Sequence, residues 1–157
     1  MATPQHYWLM KSEPDVYSID HLKQDKKTYW DGVRNYQARN FMRDQMKIGD
    51  LVLFYHSNAD PSGVSGIARV CSQPHPDVSS WDPQDKHYDP KSTLANPIWM
   101  TVDIEFVEKF SHFVSLDELR NDVRLQDMMV LKRGSRLSIQ PVEEKHFEWV
   151  CRSGRKR

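Results

Sequence analysis

Leu51-Val52-Leu53-Phe54-Tyr55-His56, followed by the polar turn Asn58 to Gly63 and the returning run Val64 to Cys71, decides the architecture. Both runs have the length and the β-branched and aromatic content of strands. Upstream, Tyr7-Trp8-Leu9-Met10 reads as a further strand, apolar enough to be buried on both faces. Pro14 keeps Glu13 out of helical conformation. Ser18 caps a short helix over Ile19 to Lys23, with Ile19 and Leu22 inward. Asn35 caps a second helix that runs to about Met46. On it Ala38, Met42 and Met46 share the inward face, and Arg39 and Arg43 share another. Gly49-Asp50 stops it.

Downstream, Ser72 to Asn96 is a long loop rich in Pro, Asp and Ser, whose aromatic residues argue against plain disorder. Ile98 to Phe110 reads as a long strand, and Ser115 with Glu118 as a capping box that opens a short helix. Met128 to Leu131 is an apolar stretch. Leu137 to Gln140 alternates as a last strand stopped by Pro141, and Glu143 to Cys151 closes the chain as a helix burying Phe147 and Val150. Five to six strands with short helices inserted early and late predict an α+β fold. The expected form is a small curved or closed β-barrel with flanking helices, in a single domain over residues 1–157, and not a doubly wound sheet.

The chain has 157 residues, 22 basic and 22 acidic side chains, and no formal net charge, which excludes a strongly basic coat for long nucleic-acid tracts. Charge is nevertheless uneven. Bases outnumber acids between His21 and Asp50, Leu131 to Gln140 carries Lys132, Arg133 and Arg136 with no acid, and acids gather between Asp103 and Asp127. The two cysteines, Cys71 and Cys151, lack metal-ligand spacing and read as free thiols in a reducing compartment. No secretory signal and no membrane-length apolar run is present, so an intracellular chain is expected.

No dinucleotide, Walker, zincin or nucleophile-elbow motif occurs, and the seven histidines are scattered, so neither a metal nor a cofactor is expected. What stands out is Tyr29-Trp30-Asp31-Gly32-Val33-Arg34-Asn35-Tyr36-Gln37-Ala38-Arg39-Asn40. It has flat rings, amides and guanidinia but almost no aliphatic core material. Such parts suit one planar heterocycle, such as a nucleobase. Trp30 reads either as a core tryptophan or as a half-exposed ring at a pocket mouth. Lys11, beside Ser12 and Glu13, reads as an activated lysine if desolvated, or as a strand-end lysine paired with Glu13. Tyr55 and Ser57 end a strand, where polar residues commonly line a pocket. Trp81 either packs on the body or serves as a lid. Arg133-Gly134-Ser135-Arg136 can seat a phosphate or is an exposed turn.

Five segments together resemble the EVE domain family: Tyr7 to Pro14, Trp30 to Asn40, Gly49 to Asn58, Gly63 to Ala68 and Arg133 to Ser138. The resemblance implies a PUA-like barrel related to YTH readers of methylated adenine in RNA, and more loosely to ASCH and SRA-type domains. In YTH domains a Lys-Ser at the end of the first strand and a Trp after the first helix help form the base pocket, and Lys11-Ser12 and Trp30 match them. EVE proteins are associated with modified cytosine in DNA. The expectation is a non-catalytic, monomeric reader of 5-methyl- or 5-hydroxymethylcytosine in DNA or RNA, with the base flipped into an aromatic pocket. Lys11, Ser12, Trp30, Asn35, Tyr55 and Ser57 line that pocket, Trp81 is its lid, and Arg34, Arg39, Arg133, Ser135 and Arg136 hold phosphates. Alternatives are a YTH-like reader of methylated RNA, an ASCH-type nucleoside hydrolase using Lys11, and a protein-interaction module using the Ser72–Asn96 loop. The resemblance implies a cytoplasmic, bacterial-type member with no membrane contact, nuclear if the source is eukaryotic.

Overall fold

The computed structural model describes residues 6–133 and 136–156. In chain order the elements are β1 (Tyr7–Ser12), α1 (Ile19–Asp25), β2 (Lys27–Tyr29), α2 (Tyr36–Asn40), β3 (Leu51–His56) and β4 (Gly63–Val70). They continue with β5 (His75–Pro76), β6 (Met100–Thr101), β7 (Asp103–Ser115), α3 (Leu116–Asn121), β8 (Ile139–Val142) and α4 (Glu144–Gly154). Six strands form one sheet in the order β2-β7-β4-β3-β1-β8, and β5 pairs with β6 in a small ladder beside it. β3 and β4 form the expected antiparallel hairpin, Leu51 opposite Arg69 and His56 opposite Gly63. β1 lies parallel to β3, so Lys11 pairs with Tyr55 and Ser12 with His56. Register shifts in the β3–β4 and β4–β7 ladders are sites where the sheet curls.

The near-continuous apolar runs of β1 and β3 follow from burial on both faces. Alternate residues enter opposite cores. Trp8, Met10, Val52 and Phe54 join Ile19 and Leu22 of α1 and Ala38 of α2 in one cluster. Leu9, Leu53 and Tyr55 join Leu119 of α3 and Phe147 and Val150 of α4 in the other. Each large aliphatic or Phe side chain among them, fully buried, contributes roughly 1.5–3 kcal/mol.

Four elements depart from the sequence expectation. The second helix is α-helical only to Asn40; Phe41–Gln45 widen into a π turn, Met46 N–H reaching back to the Phe41 carbonyl at 2.9 Å. Ala38, Met42 and Met46 are buried as expected. The long strand is interrupted at Val102, where the chain passes from its pairing with β5 to the six-stranded sheet; the Val102 carbonyl there accepts from the Trp30 N–H at 3.0 Å. β7 then runs on to Ser115. The 72–96 segment is ordered over β5 and a 3₁₀ turn at Val78–Trp81, anchored by the buried side chains of Asp77, Ser80 and Ser92. Pro141 lies inside β8 instead of stopping it, since β8 is an edge strand and its outer side needs no donor. No helix among the described residues is long and apolar enough to cross a membrane.

Candidate functional site

A cavity of about 450 Å³ opens where β1 and β2 end, within the range that takes small ligands. One wall is Lys11 and Ser12 with the turn behind them. Pro14 ends the strand there, the Ser12 hydroxyl donates to the Tyr17 carbonyl at 2.6 Å, and the Val16 and Tyr17 N–H groups both donate to the Glu13 carbonyl. Ser18 then caps α1, accepting from the His21 N–H while His21 Nδ1 accepts from the Ser18 N–H. The Lys11 N–H donates to the Ser138 carbonyl at 2.8 Å, which brings the approach to β8 into the wall.

Trp30 is the floor. Its N–H is held by Val102, its carbonyl accepts from the Thr101 hydroxyl, and its indole meets Phe54 edge-on at 5.7 Å and 89°. It is 8% exposed and still lines the cavity, so it is a core tryptophan on one side and a pocket surface on the other. After it the chain turns at Gly32, φ 83°, and the His87 imidazole lies so close that a Cβ there would sit 2.6 Å from it. Only glycine meets both conditions.

Asp77 holds this turn. Its carboxylate accepts from the Gly32 N–H at 2.8 Å, Arg34 Nη1 at 3.0 Å, the Ser79 N–H at 3.0 Å and the Ser79 hydroxyl at 2.6 Å. Burial by itself would raise this carboxyl, but the Ser79, Gly32 and Arg34 hydrogen bonds and the Arg34 charge hold it below the usual range. Burial pushes the Lys11 amine down; its side chain shares the face of its β3 partner Tyr55, and no carboxylate makes an ion pair with it among the described residues. Glu13, its expected partner, accepts instead from Asn58 Nδ2 at 2.6 Å. Burial, then the charge of Asp77, raises the Asp31 carboxyl at the rim.

Of the residues singled out in the sequence, Lys11, Ser12, Trp30 and Arg34 line the cavity. Arg34 is committed to structure: Nε and Nη2 donate to the His87 carbonyl, Nη2 also to Ser79, and Nη1 to Asp77 and the Val33 carbonyl. Asn35 does not line the cavity; its side chain caps α2 by accepting from the Ala38 N–H at 2.9 Å. Tyr55 points into the core across the sheet, 4% exposed, and its ring lies 5.9 Å from the Lys11 amine, whose side chain shares that face. Ser57 sits behind the wall, its N–H on the Ser12 carbonyl at 3.0 Å. Trp81 lies away from the cavity, at the end of its 3₁₀ turn, with its indole N–H buried and unpartnered. Arg39 lies outside the cavity on α2, and Arg133 and Arg136 are exposed on the approach to Ser138. Ser135 and Gly134 lie outside the described residues.

Asp77, His87 and Ser138 were missed. Nothing local marks Asp77, whose partners Gly32 and Arg34 lie 45 and 43 residues away. Asp31, Asp85 and His87 bring donor atoms within 4.8 Å of one another at the rim, a set of metal-ligating type that scattered spacing does not announce. Asp85 already accepts from the His87 N–H at 2.8 Å.

Two known proteins bear on this arrangement. Thymocyte nuclear protein 1 of Homo sapiens is 40% identical over 163 residues, covering 92% of this chain and 72% of that one. A crystal structure of human THYN1 protein in complex with 5-methylcytosine containing DNA superposes with a TM-score of 0.89 at 38% identity, covering 98% of this chain and 99% of that chain. The YTH domain of Zygosaccharomyces rouxii MRB1 protein, solved with N6-methyladenosine RNA, superposes at 0.57 with 13% identity, covering 99% of this chain and 91% of that one, and shares the fold alone. The six-stranded curled sheet with short helices is thus a PUA-like fold. The EVE domain model matches residues 6–153, and this chain belongs to the EVE domain family.

Proposed function

We propose that this chain reads a modified cytosine, 5-methyl or 5-hydroxymethyl, in DNA, by taking the base out of its stack into the cavity on Trp30. The observation that carries this reading is an open cavity lined by Trp30, Lys11 and Ser12, in a fold whose 38%-identical neighbour was solved with 5-methylcytosine DNA. We place the Lys11 ammonium, at the end of β1, within reach of the base beside the Ser12 hydroxyl, and the two groups have complementary limits. A Lys11 ammonium only donates. The Ser12 hydroxyl gives its single proton to Tyr17, so toward the cavity it only accepts. A ring acceptor beside an exocyclic amine, as on the pairing edge of cytosine, matches that pair. Adenine presents the same edge, so the RNA methyladenine alternative belongs in the same assay.

Stacking on Trp30 contributes roughly 1–3 kcal/mol. One added carbon on the base contributes about 1 kcal/mol, a preference of about fivefold. Phosphates on the approach fall to Arg133 and Arg136, and the sequence adds Ser135 between them. We read the chain as a binding domain and not an enzyme, because Glu13 is bonded to Asn58 and Ser57 stands behind the wall, leaving Lys11 neither assistant that a nucleophilic role needs. The test is a titration with oligonucleotides carrying 5-methylcytosine, 5-hydroxymethylcytosine or plain cytosine, and with methyladenine RNA. Trp30→Ala, and Lys11→Ala with the floor intact, should each weaken binding and erase the preference. Equal affinity for every oligonucleotide, untouched by either variant, overturns the reading.

A further inference from the structure

Arg34, the cation at the cavity rim, is neutralised by Asp77; Arg39, four residues on, is not. Its Nε and Nη2 donate to Asn40 Oδ1 at 3.0 and 2.7 Å, and Nη1 to the Ile98 carbonyl at 3.0 Å. These acceptors are neutral and use three of the five guanidinium N–H groups. No carboxylate makes an ion pair with Arg39 among the described residues. The guanidinium lies 4.9 Å from the Tyr36 ring centroid and 5.9 Å from that of Trp99. It is therefore a cation held in one place with two donors to spare.

Tyr36 and Trp99 stack at 5.0 Å and 22°. Trp99 is buried and fixed by its indole N–H on Asp89 at 2.7 Å, whereas Tyr36 is 58% exposed. Arg34 lies over the Trp99 ring at 5.2 Å. The cavity rim thus continues outward through Arg34 and Trp99 to Tyr36, with Arg39 at the edge of the stack. An aromatic platform paired with an uncompensated guanidinium is the arrangement that holds a base and its phosphate without reading sequence.

Resting on the reader reading above, we infer that Tyr36 and Arg39 form a second nucleotide subsite, where the nucleotide next to the extruded base stacks on Tyr36 and places its phosphate on Arg39. A strand that leaves the cavity past Arg34 crosses this platform, and its phosphate meets there a cation with no carboxylate partner among the described residues. The subsite is indifferent to base modification, so it adds affinity for the strand and not preference.

Two probes separate the subsites: a labelled duplex with one central 5-methylcytosine, and free 5-methyl-2′-deoxycytidine, which carries no neighbour and no phosphate. Tyr36→Ala should weaken duplex binding about tenfold. Tyr36→Phe should match wild type. Arg39→Gln should reduce the slope of log affinity against log salt by about 0.9, and Arg39→Lys should retain most of it. All four should bind the nucleoside as wild type does. Duplex affinity and salt slope unchanged in both Tyr36→Ala and Arg39→Gln, while Trp30→Ala still weakens binding, overturns the subsite and spares the cavity. Loss of all preference for the modified base, with duplex binding still dependent on Tyr36 and Arg39, upholds the subsite and sinks the cavity reading.

Discussion

Gly32 concentrates the constraints on this site in one residue. Its φ of 83° costs any other residue roughly 1–2 kcal/mol, and its missing side chain is the space that the His87 ring occupies. Gly49 offers an internal control, with φ of 98° and nothing within 4 Å of an added Cβ. Gly49→Ala should therefore lose only the backbone cost, and Gly32→Ala at least about 1 kcal/mol more, because His87 must also move. Urea unfolding of the two variants measures the difference. Equal losses would show that the imidazole yields freely and that the rim is soft. Parity accounts for another residue. Val52 and Phe54 share Trp30's face of the sheet, so Tyr55 faces away. That was legible in the alternation of the strand once Trp30's side was known, and the sequence by itself does not say which side that is.

Among the elements, the hairpin and three N-caps were readable because their causes are local: apolar runs around a polar turn, Ser18 ahead of Ile19, Asn35 ahead of Tyr36, Ser115 ahead of Leu116. The 72–96 segment was not, because its order comes from contacts remote in sequence. Asp77 is the clearest case. All four of its hydrogen bonds come from donors, so Asp77→Asn turns an amide N–H₂ toward a donor and removes the charge opposite Arg34. We expect a loss of about 3 kcal/mol, of the size seen on breaking a buried pair, together with weaker oligonucleotide binding, since Gly32 and Arg34 frame the cavity. A loss under about 1 kcal/mol in a urea titration would mean that the segment is held by something else. Asn35 shows the limit of residue-type reasoning. An amide is equally suited to cap a helix or to read a base edge, and its bond to Ala38 commits it to the first.

At the scale of the molecule, the sheet that carries the cavity also sets how acid acts on the fold. His56 ends β3 with Nε2 accepting from the Ile19 N–H, the first turn of α1, at 3.1 Å. Burial lowers its pKa from 6.5; Asp20 opposes this and Lys109 adds to it. A depressed folded-state value means the unfolded chain binds the proton more readily, so this contribution is complete above pH 6.5 and fades as pH falls through the folded value. Asp77, also depressed, follows lower, below the ordinary carboxylate value of 3.8. Asp31 runs the other way, its raised carboxyl costing stability once ionised. Unfolding free energy should begin to fall just below pH 6.5, and His56→Gln should remove that first decline while leaving the later carboxylate-driven one. A wild-type profile with no decline until the carboxylate range would sink the assignment. The outermost strands carry a last consequence. β8 holds Pro141, and β2 is three residues long and begins with a lysine. Neither border presents the uninterrupted row of amides that lets one copy extend another's ladder. These two borders are thereby protected from fibre growth by strand addition.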